Sequence, residues 1–81
     1  VGARRAPAGR IDVRPPMPGR IVRVRVKEGQ RVSRLDSLIV LEAMKMQNEI
    51  PAPAAGIIRE VRVREGQTVL AADVLVVLDP E

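Results

Sequence analysis

Gly19-Arg20-Ile21-Val22-Arg23-Val24-Arg25-Val26-Lys27-Glu28-Gly29-Gln30 is answered, at an offset of 37 residues, by Gly56-Ile57-Ile58-Arg59-Glu60-Val61-Arg62-Val63-Arg64-Glu65-Gly66-Gln67. The match continues without a gap. Val32, Asp36 and Leu38-Ile39-Val40-Leu41-Glu42 correspond to Val69, Asp73 and Leu75-Val76-Val77-Leu78-Asp79. Self-similarity of this length marks an internal structural repeat. Val22, Val24 and Val26 alternate with Arg23, Arg25 and Lys27, the period of two expected of a strand with one buried and one wet face. Val61 and Val63 against Arg62 and Arg64 repeat it. Glu28-Gly29-Gln30 and Glu65-Gly66-Gln67 read as turns in which glycine supplies a positive φ. Leu38 to Leu41 and Leu75 to Leu78 are continuous apolar runs, expected to be strands buried on both faces. Prolines at 15, 16, 18, 51 and 53 and the lack of a 3.6-residue spacing leave no helix. The predicted fold is therefore all-β. Two equivalent halves of about four short strands form a flattened barrel or sandwich with pseudo-twofold symmetry, which also limits exposed edges. One hairpin joins the halves, with its tip near Met44-Lys45.

Composition narrows the function. The 81 residues make room for one small domain. Its core has no Phe, Trp or Tyr to draw on and must be built from Val, Ile, Leu, Met and Ala. The absence of cysteine rules out a disulfide and a thiolate zinc site. The absence of histidine removes Ser-His-Asp and Cys-His catalysis and any imidazole metal ligand. With no phosphate-binding loop and no nucleophile-base pair, the chain reads as non-catalytic. No apolar run approaches the roughly 20 residues that span a bilayer, so no membrane insertion is expected. The net charge of +4 comes from arginines spread along the strands, with no aromatic residue to stack on a base. That is the pattern of a solvated outer face, and no nucleic acid is expected. Residues 1–13, rich in Ala, Pro, Gly and Arg, read as a linker tail ahead of a domain over residues 14–81, as in a piece of a longer polypeptide.

Between the two copies lies Glu42-Ala43-Met44-Lys45-Met46-Gln47-Asn48-Glu49-Ile50. A lysine at the tip of a central hairpin can reach a foreign active site, which a lysine on a strand face cannot. Ala43-Met44-Lys45-Met46 resembles the biotin-attachment motif of the biotinyl, or biotin carboxyl carrier, domain family. Pro16-Met17-Pro18-Gly19 is similar to the family's lead-in to its first strand, Lys27-Glu28-Gly29-Gln30 to its turn, and Ala52-Pro53 with Gly56 to its return into the second half. The likeness runs roughly from Pro16 to Asp79. It implies that Lys45 is the nucleophile that attacks biotinyl-adenylate held by a biotin protein ligase, giving an amide. A free lysine amine is mostly protonated at neutral pH, so the ligase has to remove the proton. The resemblance also implies that Met44 and Met46 help partner enzymes handle the biotinyl-lysine, and that Glu42 helps ligase recognition. Biotinylated Lys45 would then accept a carboxyl group at a biotin carboxylase site and deliver it at a carboxyltransferase site. Glu42 corresponds in the repeat to Asp79, so an acid there can equally serve the fold. Glu49 reads as part of a solvated face.

The chain departs from the family pattern at Leu35 and Ala72, where glycine is common, at Ser37 and Val74, where proline is common, and at Ala55, where aspartate is common. These departures concern turn geometry and none touches Lys45. The direct run from Val26 to Val32, without an extra protruding segment, resembles the C-terminal carrier domains of multidomain acyl-CoA or pyruvate carboxylases, of transcarboxylases and of biotin-dependent decarboxylases. That likeness implies the cytoplasm, or the mitochondrial matrix in a eukaryote. Two other readings share the architecture. A lipoyl carrier displays a lysine on the same hairpin, but its motif has an acidic residue where this chain has Met44. An unmodified hybrid-barrel connector leaves Ala43-Met44-Lys45-Met46 without a purpose.

Overall fold

The computed structural model describes residues 9–81, in which eight strands make up the regular structure. They are β1 (Ile11–Val13), β2 (Gly19–Val24), β3 (Arg31–Val32), β4 (Ser37–Ala43), β5 (Met46–Pro51), β6 (Gly56–Val61), β7 (Thr68–Val69) and β8 (Val76–Pro80). Among the described residues there is no α-helix. Two antiparallel sheets result, ordered β1-β8-β6-β3 and β5-β4-β2-β7. The repeat governs this order: the 37-residue shift turns β1 to β4 into β5 to β8 and one sheet into the other. Register obeys the same shift, with Val13 opposite Val76 as Ile50 is opposite Ile39, and Val32 opposite Gly56 as Val69 is opposite Gly19. Each sheet takes two strands from each copy. Neither copy can therefore complete a sheet by itself.

The boundary expected at residue 14 lies too far along the chain. Ile11, Asp12 and Val13 pair with Leu78, Val77 and Val76, and Val13 is buried, so the last three residues of the expected linker form an outer strand. The linker reading of residues 1–8 falls outside the described residues.

Both copies bulge at the same step. Pairing of β2 with β4 runs from Arg20 opposite Glu42 to Ile21 opposite Leu41, skips Val22, and resumes with Arg23 opposite Val40. In β6 the skipped residue is Arg59. An extra residue changes which face the following side chains present. Ile21 and Ile58 accordingly point into the core before the bulge, and Val26 and Val63 return to it afterwards. Strict alternation makes Val22 an inward residue. The structure leaves it half-buried at the bulge, and the fully buried Ile21 takes the inward place.

The other copy takes up the strand backbone at each bulge. Ile21 N–H donates to the Gln67 carbonyl at 2.8 Å, and Gly66 N–H donates to the Ile21 carbonyl at 2.7 Å. Reciprocally, Ile58 N–H donates to the Gln30 carbonyl at 2.8 Å, and Gly29 N–H to the Ile58 carbonyl at 2.7 Å. A carboxylate from each turn adds to the clasp, since Glu65 accepts from Val24 N–H at 3.3 Å and Glu28 from Val61 N–H at 3.4 Å. Gly29 and Gly66 hold φ of 88° and 91°, as the turns require.

The runs Leu38 to Leu41 and Leu75 to Leu78 are buried throughout, as expected. Val40 and Val77 lie outside the central cluster yet are only 5% and 1% exposed. Arg23 and Glu49 flank Val40, and Asp12 and Glu60 flank Val77, so the aliphatic stems of charged residues are in register to cover them.

The turns carrying Leu35 and Ala72 differ from one another. In both, the aspartate three residues after the first position accepts from that residue's backbone: Asp36 from Ser33 N–H and Asp73 from Leu70 N–H, each at 2.8 Å. Leu35 N–H also donates to the Ala52 carbonyl, and Ala52 N–H donates to the Asp36 carbonyl. Pro15 stands at the position equivalent to Ala52 and has no N–H to offer. Leu35 is held at φ 76°, in the left-handed region that suits the glycine common there, whereas Ala72 has no positive φ. The Ser37 hydroxyl is buried without a hydrogen-bond partner, consistent with a position that proline often fills.

A Cβ at Gly19 would sit 2.5 Å from the Glu42 carbonyl oxygen, and one at Gly56 closer still to that of Asp79, whereas Gly29 has open space around it. Urea denaturation is expected to give a loss of about 2–3 kcal/mol for Gly56→Ala, from overpacking. Gly29→Ala is expected to lose about 1 kcal/mol, from backbone strain alone. Equal losses would contradict this division. Thermal denaturation is expected to place Leu35→Gly about 0.5 kcal/mol above the parent, relieving left-handed strain, and Ala72→Gly about 0.5 kcal/mol below it.

Candidate functional site

The hairpin that joins the halves stays paired to its last residue. Leu41 lies opposite Asn48, Glu42 opposite Gln47 and Ala43 opposite Met46, which leaves only Met44 and Lys45 as the connection. Both have positive φ, 55° and 66°. Two consecutive left-handed residues are the mark of a type I′ hairpin turn, whose twist matches that of the strands and which Asn-Gly normally fills. Met and Lys carry a Cβ, so each costs about 1 kcal/mol in this conformation. The site is thus a short, strained turn with no slack.

The side chains divide cleanly. Ala43 is buried and anchors the end of β4 in the core, while Met44 and Met46 are 84% and 65% exposed and fill no core. Lys45 is exposed between them, and among the described residues it takes part in no ion pair. An unpaired primary amine at a rigid apex, with no wall around it, suits a covalently joined group that other proteins work on. It does not suit a ligand that this chain would enclose. Among the described residues no three potential metal ligands come together. Lys27 is the only other lysine; it too is exposed, but it lies beside the turn that the second copy clasps.

Repeat symmetry is broken at the acid before the turn. Asp79 bridges Arg59 at 3.1 Å and Arg10 at 3.4 Å, so it stabilises its own sheet. Glu42 is exposed opposite Arg20 and Gln47, and no cation among the described residues lies within 4.0 Å of its carboxylate. Among the described residues, then, Asp79 is held by cations of its own sheet and Glu42 is not. In the other sheet the place equivalent to the turn is where β1 starts and β8 ends, with Gly9 against the Pro80 ring. The hairpin is thus the one strand-end of its kind bridged by a turn.

Gly19 is a supporting residue that the motif alone did not single out. Its missing side chain lets β2 approach the Glu42 carbonyl and the Leu41 side chain, which seats the end of β4. The left-handed turn was also invisible in sequence, because neither Met nor Lys favours it; a gap of two residues between paired strands is the signal that could have revealed it. Met44→Asn is expected to raise stability by about 0.5–1 kcal/mol in a melting experiment, because asparagine adopts the left-handed conformation more readily. A drop in stability would contradict the assigned turn.

Comparison with known proteins follows the same lines. The family described as biotin-requiring enzyme matches residues 11–78. The glutaconyl-CoA decarboxylase gamma subunit of Acidaminococcus fermentans is 60% identical over 45 residues, which are 56% of this chain and 31% of that subunit. A solved single-chain, multi-domain long-chain acyl-CoA carboxylase superposes with a TM-score of 0.86 and 35% identity, covering 99% of this chain and 8% of that one. The lipoyl domain of the 2-oxoglutarate dehydrogenase complex from Azotobacter vinelandii superposes with a TM-score of 0.73 and 31% identity, covering 84% of this chain and 94% of that domain. This chain spans about a third of the decarboxylase subunit and a far smaller part of the carboxylase. The chain belongs to the biotin-requiring enzyme family.

Proposed function

We propose that this chain is a biotin carboxyl carrier domain and that Lys45 is the residue to which biotin is joined. The observation that carries the reading is the two-residue left-handed turn, which holds an exposed, unpaired lysine between two exposed methionines at the closely paired end of a hairpin. The domain is a non-catalytic carrier and biotin is its cofactor. When bound, biotin supplies the atom that holds the carboxyl group, and the protein supplies position. The Lys45 amine has to be neutral to attack an activated acyl group, and its proton leaves to a base on the biotin protein ligase. The amide that forms carries no charge, which removes a cation from the apex. The short turn fixes the root of the arm, and Ala43 in the core keeps that root from swinging with the side chain. The apolar faces of Met44 and Met46 meet the partner enzymes, and the exposed Glu42 carboxylate meets a cation on the ligase.

The partners are a biotin carboxylase and a carboxyltransferase, fused or separate, between which a tethered domain gains from effective concentration. The decarboxylase subunit and the acyl-CoA carboxylase among the relatives support this class of partner. The lipoyl domain shares the fold. Met44 stands where a lipoyl motif has its acid, and this weighs against lipoate. Incubation with biotin, ATP and a biotin protein ligase tests the reading by intact mass. Lys27→Arg is expected to accept one biotinyl group and Lys45→Arg none. Retained modification of Lys45→Arg would overturn the assignment.

A further inference from the structure

We propose that Met44 and Met46 are sites of reversible sulfoxidation by peroxide-class oxidants, and that their oxidation state sets how readily Lys45 is modified. The second half of this statement rests on the reading of Lys45 as the acceptor. The chain has no cysteine, histidine, tryptophan, tyrosine or phenylalanine. Its three methionine thioethers are therefore the side chains open to mild two-electron oxidation. The fold sorts them sharply. Met17, in the connection between β1 and β2, is half-buried against the core. Met44 and Met46 are 84% and 65% exposed. Every well-exposed oxidisable sulfur thus adjoins Lys45 in the chain, on one side or the other.

In the reaction the thioether sulfur gives an electron pair to one oxygen of the peroxide. A sulfur–oxygen bond forms as the O–O bond breaks, and the proton on the transferred oxygen passes to the departing oxygen. Sulfur is oxidised, and hydrogen peroxide is reduced to water. The product is polar and chiral where the parent side chain was flexible and apolar. Neither side chain packs in the core, so the strands and the turn survive the change. What changes is the surface on both sides of the amine, which turns from apolar to strongly hydrogen-bond accepting. The same exposure admits the sulfoxide reductases, one for each epimer, that restore the thioether.

The test treats the wild-type domain and Met17→Leu, in which Met44 and Met46 are the only sulfurs, with limiting hydrogen peroxide. Peptide mapping then locates the added oxygen, and biotin, ATP and a biotin protein ligase are added to measure the rate of biotin addition to Lys45. In the wild type, Met44 and Met46 are expected to oxidise several-fold faster than Met17. In both proteins, biotin addition is expected to slow by about threefold to tenfold, the effect of losing an apolar thioether contact with the ligase. Treatment with the two methionine sulfoxide reductases is expected to restore the rate, with the melting temperature unchanged throughout. Equal oxidation of all three methionines, an unchanged rate after oxidation of Met44 and Met46, or a slowed rate that the reductases do not restore would each overturn the proposal. Failure of the untreated protein to accept biotin would instead overturn the attachment reading, and the order of oxidation would still decide which sulfurs react.

Discussion

Everything in this fold depends on the reciprocal clasp between each Glu-Gly-Gln turn and the bulged strand of the other copy. Ile21 exchanges both its backbone hydrogen bonds with Gly66 and Gln67, and Ile58 does the same with Gly29 and Gln30. The bulges at Val22 and Arg59 reset the facing of the strands around these contacts, so that both isoleucines and the valines that follow can enter one core. Because each sheet mixes strands from both copies, the clasp joins residues far apart in the chain, and the core closes only when both are in place. A fold of this kind is built from non-local pairing, which slows folding because loop-closure entropy is lost before the contacts form.

Function arises where the symmetry fails. The two sheets share their order and the bulges at Val22 and Arg59, but only one of them has its outer pair of strands joined by a turn. In that sheet the acid before the turn forms no ion pair among the described residues, and the connecting residues are forced into the left-handed region. A non-glycine residue in that conformation persists because the hairpin beneath it is paired without interruption from Ile39 opposite Ile50 to Ala43 opposite Met46 and is rooted in the core by Leu41 and Ala43. The scaffold thus absorbs the strain, and the turn offers a fixed amine with no groove around it.

The repeat offset, the valine alternation and the apolar runs made the strands and the pseudo-twofold architecture legible, since each is a side-chain pattern with a period. The central hairpin and Lys45 were legible for the same reason, together with the attachment motif. Features carried by the backbone alone were not. Val22 and Arg59 have nothing in common as side chains, so their shared bulge left no trace in sequence. Ile11-Asp12-Val13 is too short to set up an alternation, and its Arg- and Pro-rich surroundings hid an edge strand. Met44, Lys45 and Leu35 adopt a conformation that their residue types disfavour, which is imposed by the pairing around them. Whether an acid at Glu42 or at Asp79 served the sheet could not be separated in sequence; Asp79 bridges Arg10 and Arg59, whereas among the described residues Glu42, though opposite Arg20, forms no ion pair.

The proposed attachment requires that this turn display Lys45 for biotin and not for lipoate. The most direct measurement is peptide-mapped intact mass of the wild-type domain after exposure to biotin, lipoate and ATP with ligases for both cofactors present. One biotinyl group, carried on Lys45, is expected, with Lys27 unmodified. A lipoyl group on Lys45, or biotin on Lys27, would contradict it.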